Sequence, residues 1–199
     1  MRNQCIAVVV CAGAALAQTA AATVVYDGNG GWTGSNALLI NAEWADDVHM
    51  TDAGTLTRFT IAYTQSTATS GTVRFYTNNA TNTDYPGPAT LLAEYPGLPM
   101  SGGGASGTID YAVPLALQVD LPADVWMSIE TNGQINVRLQ GGALVGASDI
   151  HRTTVPGFGD YNFDFPGNFP FTVEVDPVPA PATAGLLVTA AIAGLRRRR

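Results

Sequence analysis

The stretch Leu56-Thr57-Arg58-Phe59-Thr60-Ile61-Ala62-Tyr63-Thr64 places bulky apolar side chains at every second position. Phe59, Ile61 and Tyr63 would share one face of an extended chain, while Arg58 and its alternate neighbours would share the other. This period of two is typical of a β-strand with one face in a core and the other in solvent. The stretch therefore predicts a half-buried strand and favours an all-β fold.

Similar short runs, rich in β-branched and aromatic residues and separated by Gly, Pro, Asn and Asp, occur on both sides of this stretch. Because no window keeps an apolar period of 3.6 residues, no amphipathic helix is predicted between residues 23 and 176. The pattern predicts one ectodomain, residues 18–177, folded as an all-β, two-sheet antiparallel sandwich that is jelly-roll-like. The predicted strands are residues 37–44, 56–64, 72–77, 90–95, 107–111, 115–121, 125–131, 135–140, 160–165 and 171–175.

The charge of the chain is unevenly distributed. Its 199 residues include nine Arg, no Lys and sixteen acidic residues, for a net charge of −7. Five of the Arg are at position 2 and at positions 196–199, so the body has four Arg against sixteen acidic residues, a balance of −12. Such a body would repel phosphate backbones, so nucleic-acid binding is not expected. The hydrophobic content of 46% argues against disorder.

The N-terminus has the layout of a signal peptide over residues 1–17. Arg2 precedes an apolar run over residues 5–16, and Ala15-Leu16-Ala17 offers the small residues that a signal peptidase requires. We expect cleavage after Ala17, with residues 20–22 as alternatives. Both cysteines, Cys5 and Cys11, lie in this leader, so the exported chain would have no disulfide, thiolate metal site or cysteine nucleophile.

The last 22 residues have a three-part layout. Val178-Pro179-Ala180-Pro181 is a stiff, extended break, and residues 182–195 form an uncharged apolar segment that is compatible with a helix. Such a helix would span about 21 Å, enough to hold the chain in a membrane before processing. The arginines that follow would stay on the cytoplasmic side. They are Arg196, Arg197, Arg198 and Arg199.

This tail resembles a PEP-CTERM sorting signal, which exosortases process in bacteria that make extracellular polysaccharide. Val178, Pro179 and Pro181 match the usual Val-Pro-Glu-Pro motif, and Ala180 replaces its glutamate. The resemblance implies an exosortase-type processing enzyme as a partner, cleavage near residues 179–181, and release or attachment at the cell surface. Residues 45–48, 86–92 and 124–129 are similar to segments of β-sandwich ectodomains that precede such tails, which implies a fold rather than an activity.

Residues suited to catalysis are few in the body. It has two histidines, His49 and His151, and no Gly-x-Ser-x-Gly elbow that would place a serine nucleophile. Two carboxylates of a glycosidase could come from its four glutamates, but their spacing does not show that any two face one cleft. We therefore expect no enzymatic activity, with a secreted glycan-active hydrolase as an alternative. The glutamates are Glu43, Glu94, Glu130 and Glu174.

No cofactor is expected apart from a structural Ca²⁺, for which oxygen ligands are abundant. Asp27 and Asn29 alternate in a glycine-containing loop, and Asp46, Asp47 and Asp52 crowd a second predicted loop. These five residues are the candidate calcium ligands.

Aromatic side chains near amides and carboxylates could form a carbohydrate platform. Trp32, within Asn29-Gly30-Gly31-Trp32-Thr33-Gly34, is the first candidate, and Tyr85 in the Asp84-Tyr85-Pro86 turn is the second. Capping one end of the sandwich is the structural alternative for Trp32. The sequence predicts an exported cell-surface or matrix-associated protein, with a carbohydrate-binding module as the first alternative and extracellular polysaccharide as its potential partner.

Overall fold

The computed structural model describes residues 21–39, 42–78, 87–148, 151–153 and 168–177. Within these ranges the regular elements are strands, apart from a 3-10 turn at Leu115–Leu117, and there is no α-helix. The strands form two antiparallel sheets, which confirms the predicted all-β fold. No helix in the described ranges is long and apolar enough to cross a membrane. The predicted leader and the predicted tail, with its helix over 182–195, lie outside those ranges.

The larger sheet has seven strands. These are β1 (Thr23–Asp27), β2 (Trp32–Leu39), β4 (Gly54–Ser66), β7 (Ala105–Ala112), β8 (Asp120–Leu121), β10 (Ile135–Gln140) and β12 (Phe171–Pro177). They are linked by hydrogen bonds in the path β1-β12-β4-β10-β2, in which β12 and β10 pair with different parts of β4, and β7 and β8 also pair with β4. The 13-residue strand β4, which contains the alternating stretch at residues 56–64, is therefore the centre of this sheet.

The smaller sheet has five strands. These are β3 (Glu43–His49), β5 (Ser70–Asn78), β6 (Pro88–Pro99), β9 (Asp124–Thr131) and β11 (His151–Thr153). Their spatial order is β11-β3-β9-β5-β6, so β9 is central and β6 and β11 are the edges.

The core lies between the two sheets. Phe59, Ile61 and Tyr63 of β4 are buried, as their alternation predicts. The ring of Phe59 lies 5.7 Å from that of Phe75 in the smaller sheet and 5.3 Å from that of Tyr95, measured between centroids. These aromatic contacts join the two sheets, and burial of their apolar area supplies most of the driving force for folding.

Strand β9 is buried on both faces. Val125, Met127 and Ile129 face the core, but Trp126 and Ser128 on the opposite face are also fully buried. A simple alternation of core and solvent therefore describes only one side of this strand, which lies in the middle of its sheet.

Several strand predictions are wrong in detail. Residues 37–44 were expected to form one strand, but β2 ends at Leu39 and β3 begins at Glu43. Residues 115–121 form the 3-10 turn and the two-residue β8, because Pro114 precedes the turn and interrupts the strand pattern. Strand β1 was not predicted, and residues 160–165 lie outside the described ranges.

Candidate functional site

The outer face of the five-stranded sheet carries a group of charged residues that we call the Arg74 cluster. It consists of Arg74 on β5 together with Glu43 on β3, Glu130 on β9 and Glu94 on β6. The antiparallel register pairs Glu43 with Glu130, and it pairs Arg74 with Glu94. Side chains that point to the same face on four adjacent strands therefore converge on a single guanidinium.

The guanidinium of Arg74 contacts all three carboxylates. Its Nε donates to Glu94 Oε2 at 2.6 Å, and its Nη1 donates to Glu130 Oε2 at 2.8 Å and lies 3.2 Å from Glu43 Oε2. Partial burial alone would lower the pKa of Arg74, but the hydrogen bonds to Glu94 and Glu130 and the charge of Glu43 raise it above its ordinary value. Arg74 is therefore a permanent cation that holds four strands together.

Glu43 is the buried member of the Arg74 cluster. Its Oε1 accepts a hydrogen bond from Tyr76 Oη at 2.7 Å and another from Ser128 Oγ at 2.5 Å, while Oε2 faces Arg74. Burial, followed by the hydrogen bond and the charge of Glu43, raises the pKa of Tyr76 well above its ordinary value, so the phenol keeps its proton and donates it. Both carboxylate oxygens of Glu43 thus have donors, as burial of a charge requires.

The Arg74 cluster brings together three of the four glutamates considered as glycosidase carboxylates. The fourth, Glu174, lies on β12 in the other sheet, 3.6 Å from Arg58. Three carboxylates that share one guanidinium are typical of a structural ion-pair network.

A small depression adjoins the Arg74 cluster. Its volume is about 260 Å³, below the usual range of about 300–1,000 Å³ for small-molecule sites. Ligand sites are also mostly apolar, whereas this depression has five polar side chains around one glycine. Its lining residues are Ser70, Gly71, Thr72, Glu130, Thr131 and Asn132.

His49, at the end of β3, joins two carboxylates. Its Nδ1 lies 2.7 Å from Asp124 Oδ1, and its Nε2 lies 3.2 Å from Asp47 Oδ2. A neutral imidazole has one N–H and could satisfy only one of them, so this geometry favours the imidazolium. Partial burial alone would lower the pKa of His49, but the hydrogen bond to Asp124 and the charges of Asp47 and Asp124 raise it above its ordinary value.

Asp46, also on β3, is fully buried. Its Oδ1 lies 2.5 Å from Ser148 Oγ, and its Oδ2 accepts a hydrogen bond from the backbone N–H of Phe169 at 2.9 Å. Burial, together with the charge of Asp46, raises the pKa of the neighbouring Tyr26 well above its ordinary value. These contacts fasten β3 to the segment that leads into β12.

The contacts of Ser148 differ from those of a catalytic triad. Its hydroxyl contacts the carboxylates of Asp46 and Asp47, whereas a nucleophile would contact the imidazole. Within the described residues, His49 and Ser148 are therefore arranged as a structural network.

The structure does not gather the predicted calcium ligands. Asp27 Oδ1 accepts hydrogen bonds from the backbone N–H of Asn29 at 3.0 Å and from its Nδ2 at 2.7 Å, which closes a local turn. Asp46 and Asp47 lie in β3 rather than in the predicted loop, and both of their carboxylates contact the Ser148 hydroxyl, while Asp52 is exposed beyond the strand. Within the described ranges, no three His, Cys, Asp or Glu side chains are grouped to hold a metal.

Of the two aromatic residues that could form a carbohydrate platform, only Trp32 lies within the described ranges. Trp32 is the first residue of the edge strand β2, and its Cα pairs with that of Gln140 on β10. Tyr85 and the sorting-signal residues Val178, Pro179, Pro181 and Arg196 to Arg199 lie outside the described ranges. Trp126 is fully buried, and Trp44 is partly buried against the core.

The convergence of the four side chains in the Arg74 cluster was not predicted from the sequence. The available signal was that Arg74 and Glu130 occupy polar positions of predicted strands, but only the strand order and register show that they meet. A comparison with protein-family models, with curated proteins and with solved structures finds no match to the chain.

Proposed function

We propose that the chain is an exported protein, without enzymatic activity, that is retained at the cell surface or in the extracellular polysaccharide matrix. The observation that carries the proposal is the order of Val178-Pro179-Ala180-Pro181, the apolar residues 182–195 and four terminal arginines. An exosortase-type enzyme would process this PEP-CTERM-like tail, and the apolar helix would hold the precursor in the membrane until then.

The end of the sandwich is compatible with removal of the tail. Strand β12 pairs with β4 along its whole length, and its last residue, Pro177, pairs with Gly54. Cleavage near residues 179–181 would therefore leave every described strand intact. The body also lacks cysteine, so its folding after export would not depend on disulfide formation.

The two networks of charged side chains also support the proposal that the body has a structural rather than a catalytic role at the cell surface. In the Arg74 cluster and around His49, charged side chains contact one another and stabilise the sheet. The strand order supports a jelly roll as the finer description of the fold, because β1-β12-β4-β7 and β3-β9-β5-β6 form two facing four-stranded sets.

The test is to follow the chain in its native host with an epitope tag in the exposed turn at residues 103–104. Deleting residues 196–199 should shift the tagged body from the cell surface toward full release into the medium. The matched control replaces the four arginines with lysines, which keeps the positive charge and should preserve surface retention. Unchanged retention after the deletion would contradict the proposal.

A carbohydrate-binding module is the second candidate function. Trp32 favours it, because this residue starts an edge strand directly after the exposed Gly31, where a ligand could reach the chain. Titration of residues 18–177 with a glycan panel that includes the host polysaccharide, with and without Ca²⁺, tests it. Saturable binding that is lost in Trp32→Ala and kept in Leu38→Ala, on the same strand, would support it, and no binding at millimolar ligand would exclude it.

A further inference from the structure

An uncharged apolar turn projects from the sandwich beside β4. The side chain of Leu115 is 85% exposed and that of Leu117 is 52% exposed. The eight residues from 112 to 119 include no charged side chain. Exposed leucines on an uncharged turn are a feature of surfaces that contact a partner or a membrane.

This turn is held in a fixed conformation. The Leu117 N–H donates to the Pro114 carbonyl at 2.8 Å, and Tyr95 Oη donates to the Leu117 carbonyl at 3.0 Å. The Gln118 side chain donates to the Val113 carbonyl at 3.2 Å. Because the backbone is fastened at both ends of the turn, the two leucines are presented to solvent with little conformational freedom left to lose on binding.

The turn lies near the end of the sandwich from which the tail would leave, because its flanking residues Val113 and Val119 bond to Thr57 and Leu56 of β4, two to three residues from Gly54. Strand β8, which follows the turn, pairs Asp120 with Thr55 and Leu121 with Gly54. On the other edge of β4, Pro177 pairs with the same Gly54. Adjacent strands are about 4.8 Å apart, so the tail exit and β8 are separated by about 10 Å.

The proposed tail keeps this end of the sandwich close to a membrane. Only residues 178–181 separate Pro177 from the apolar segment that begins at Ala182. Four residues span at most about 14 Å when fully extended. In the anchored precursor, Pro177 would therefore lie within about 14 Å of the bilayer surface, and the end of the sandwich that contains Gly54 would lie close to it.

We propose that Leu115 and Leu117 dock into the lipid interface of the anchored precursor and orient the sandwich on the membrane. This inference rests on the proposed function, because it requires the tail to be inserted. Two leucines bury too little apolar area for tight binding by a free domain, but the tail supplies a high local concentration. Exposed Asp120 and nearby Asp176 favour zwitterionic over anionic headgroups.

The chain contains a matched control at the opposite end of the sandwich. The side chain of Leu144 is 66% exposed. Its backbone N–H donates to the carbonyl of Asp27, which pairs with Thr172 near the start of β12. About five strand residues, or roughly 17 Å, separate that level from Pro177, so Leu144 should stay clear of the bilayer.

The experiment uses residues 18–199, the cysteine-free precursor that remains after removal of the leader, reconstituted into phosphatidylcholine vesicles that contain a quencher-labelled lipid. Single variants Leu115→Cys, Leu144→Cys and Leu187→Cys carry the same fluorophore. We expect strong quenching at position 187, and quenching at position 115 that is several-fold greater than at position 144. Leu117→Ser should reduce the quenching at position 115.

The outcomes separate the two proposals. Quenching at position 187 with equally low quenching at positions 115 and 144 would show that the tail inserts while the turn stays off the membrane, which would overturn the docking inference alone. The absence of quenching at position 187 would overturn membrane anchoring by the tail, and the docking inference with it.

Discussion

The imidazole of His49 and the carboxylate of Asp124 are joined by a hydrogen bond of 2.7 Å between Nδ1 and Oδ1. His49 ends β3 and Asp124 begins β9, so the bond closes the end of this strand pair. Asp47 contacts the second ring nitrogen. The bond therefore holds the positively charged imidazolium of His49 at the end of β3. The turn that leads to β4 begins directly after it.

The raised pKa of His49 makes the stability of the body depend on pH. Its imidazolium stabilises the fold fully below about pH 6.5, the ordinary histidine pKa, and this contribution is lost as the pH rises through the higher pKa of the folded protein. We expect the free energy of unfolding to fall over that interval. Urea denaturation at a series of pH values, with the His49 titration followed by NMR, measures both quantities.

Two variants control this prediction. Asp124→Asn removes one carboxylate and should lower the pKa of His49, while Asp110→Asn, on the outer surface of the other sheet, should leave it unchanged. A His49 pKa at or below that of an unfolded peptide would contradict the prediction.

Arg74→Met should destabilise the body by about 3 kcal/mol, because it leaves the buried Glu43 without its cationic partner. Arg58→Met is the matched control, since the exposed Arg58 binds Asp110 at the surface of the other sheet and its loss should cost far less. The measurement is the free energy of unfolding in urea. Equal losses in the two variants would contradict the structural role assigned to the Arg74 cluster.

Gly146→Ala should cost more than the roughly 1–2 kcal/mol of a left-handed backbone alone. Gly146 has φ of 75°, and an added Cβ would overlap the backbone carbonyl oxygen of His49. Gly103 has nearly the same φ, 73°, but open space around its Cβ position, so Gly103→Ala isolates the backbone effect. Thermal unfolding of both variants measures the difference between their melting temperatures. Identical melting temperatures would contradict the close approach of position 146 to the His49 carbonyl.

Phe59→Ala should lower the free energy of unfolding by about 3–5 kcal/mol, because it leaves a cavity where Phe75, Tyr95 and Tyr111 meet. Leu115→Ala should change it by less than about 0.5 kcal/mol, since Leu115 is exposed. Denaturant titration checks both values. A large loss in Leu115→Ala would mean that the turn stabilises the fold and is not free to contact a membrane.

The sequence predicts the fold class well because alternation is a local property. The pattern around Phe59 identifies β4, and the same reasoning assigns Val125, Met127 and Ile129 to the core. Alternation cannot reveal that Trp126 is also buried, because this depends on what covers the other face of β9.

The Arg74 cluster could not be predicted for a related reason. Arg74 and Glu94 are 20 residues apart, and Glu43 is 31 residues before Arg74, so their convergence depends on long-range strand order. The same limit applies to Asp46 and Asp47. The predicted loop that contains them is a strand because β3 pairs with β9 and β11, which are distant in the sequence.

The mass of the mature protein, measured on material from the surface of the native host, tests the proposed function most directly. Our account predicts an N-terminus near Gln18 and a C-terminus within residues 178–181, so both the leader and the apolar tail are absent. A surface protein that retains residues 182–199, or a chain found only inside the cell with its leader intact, would contradict it.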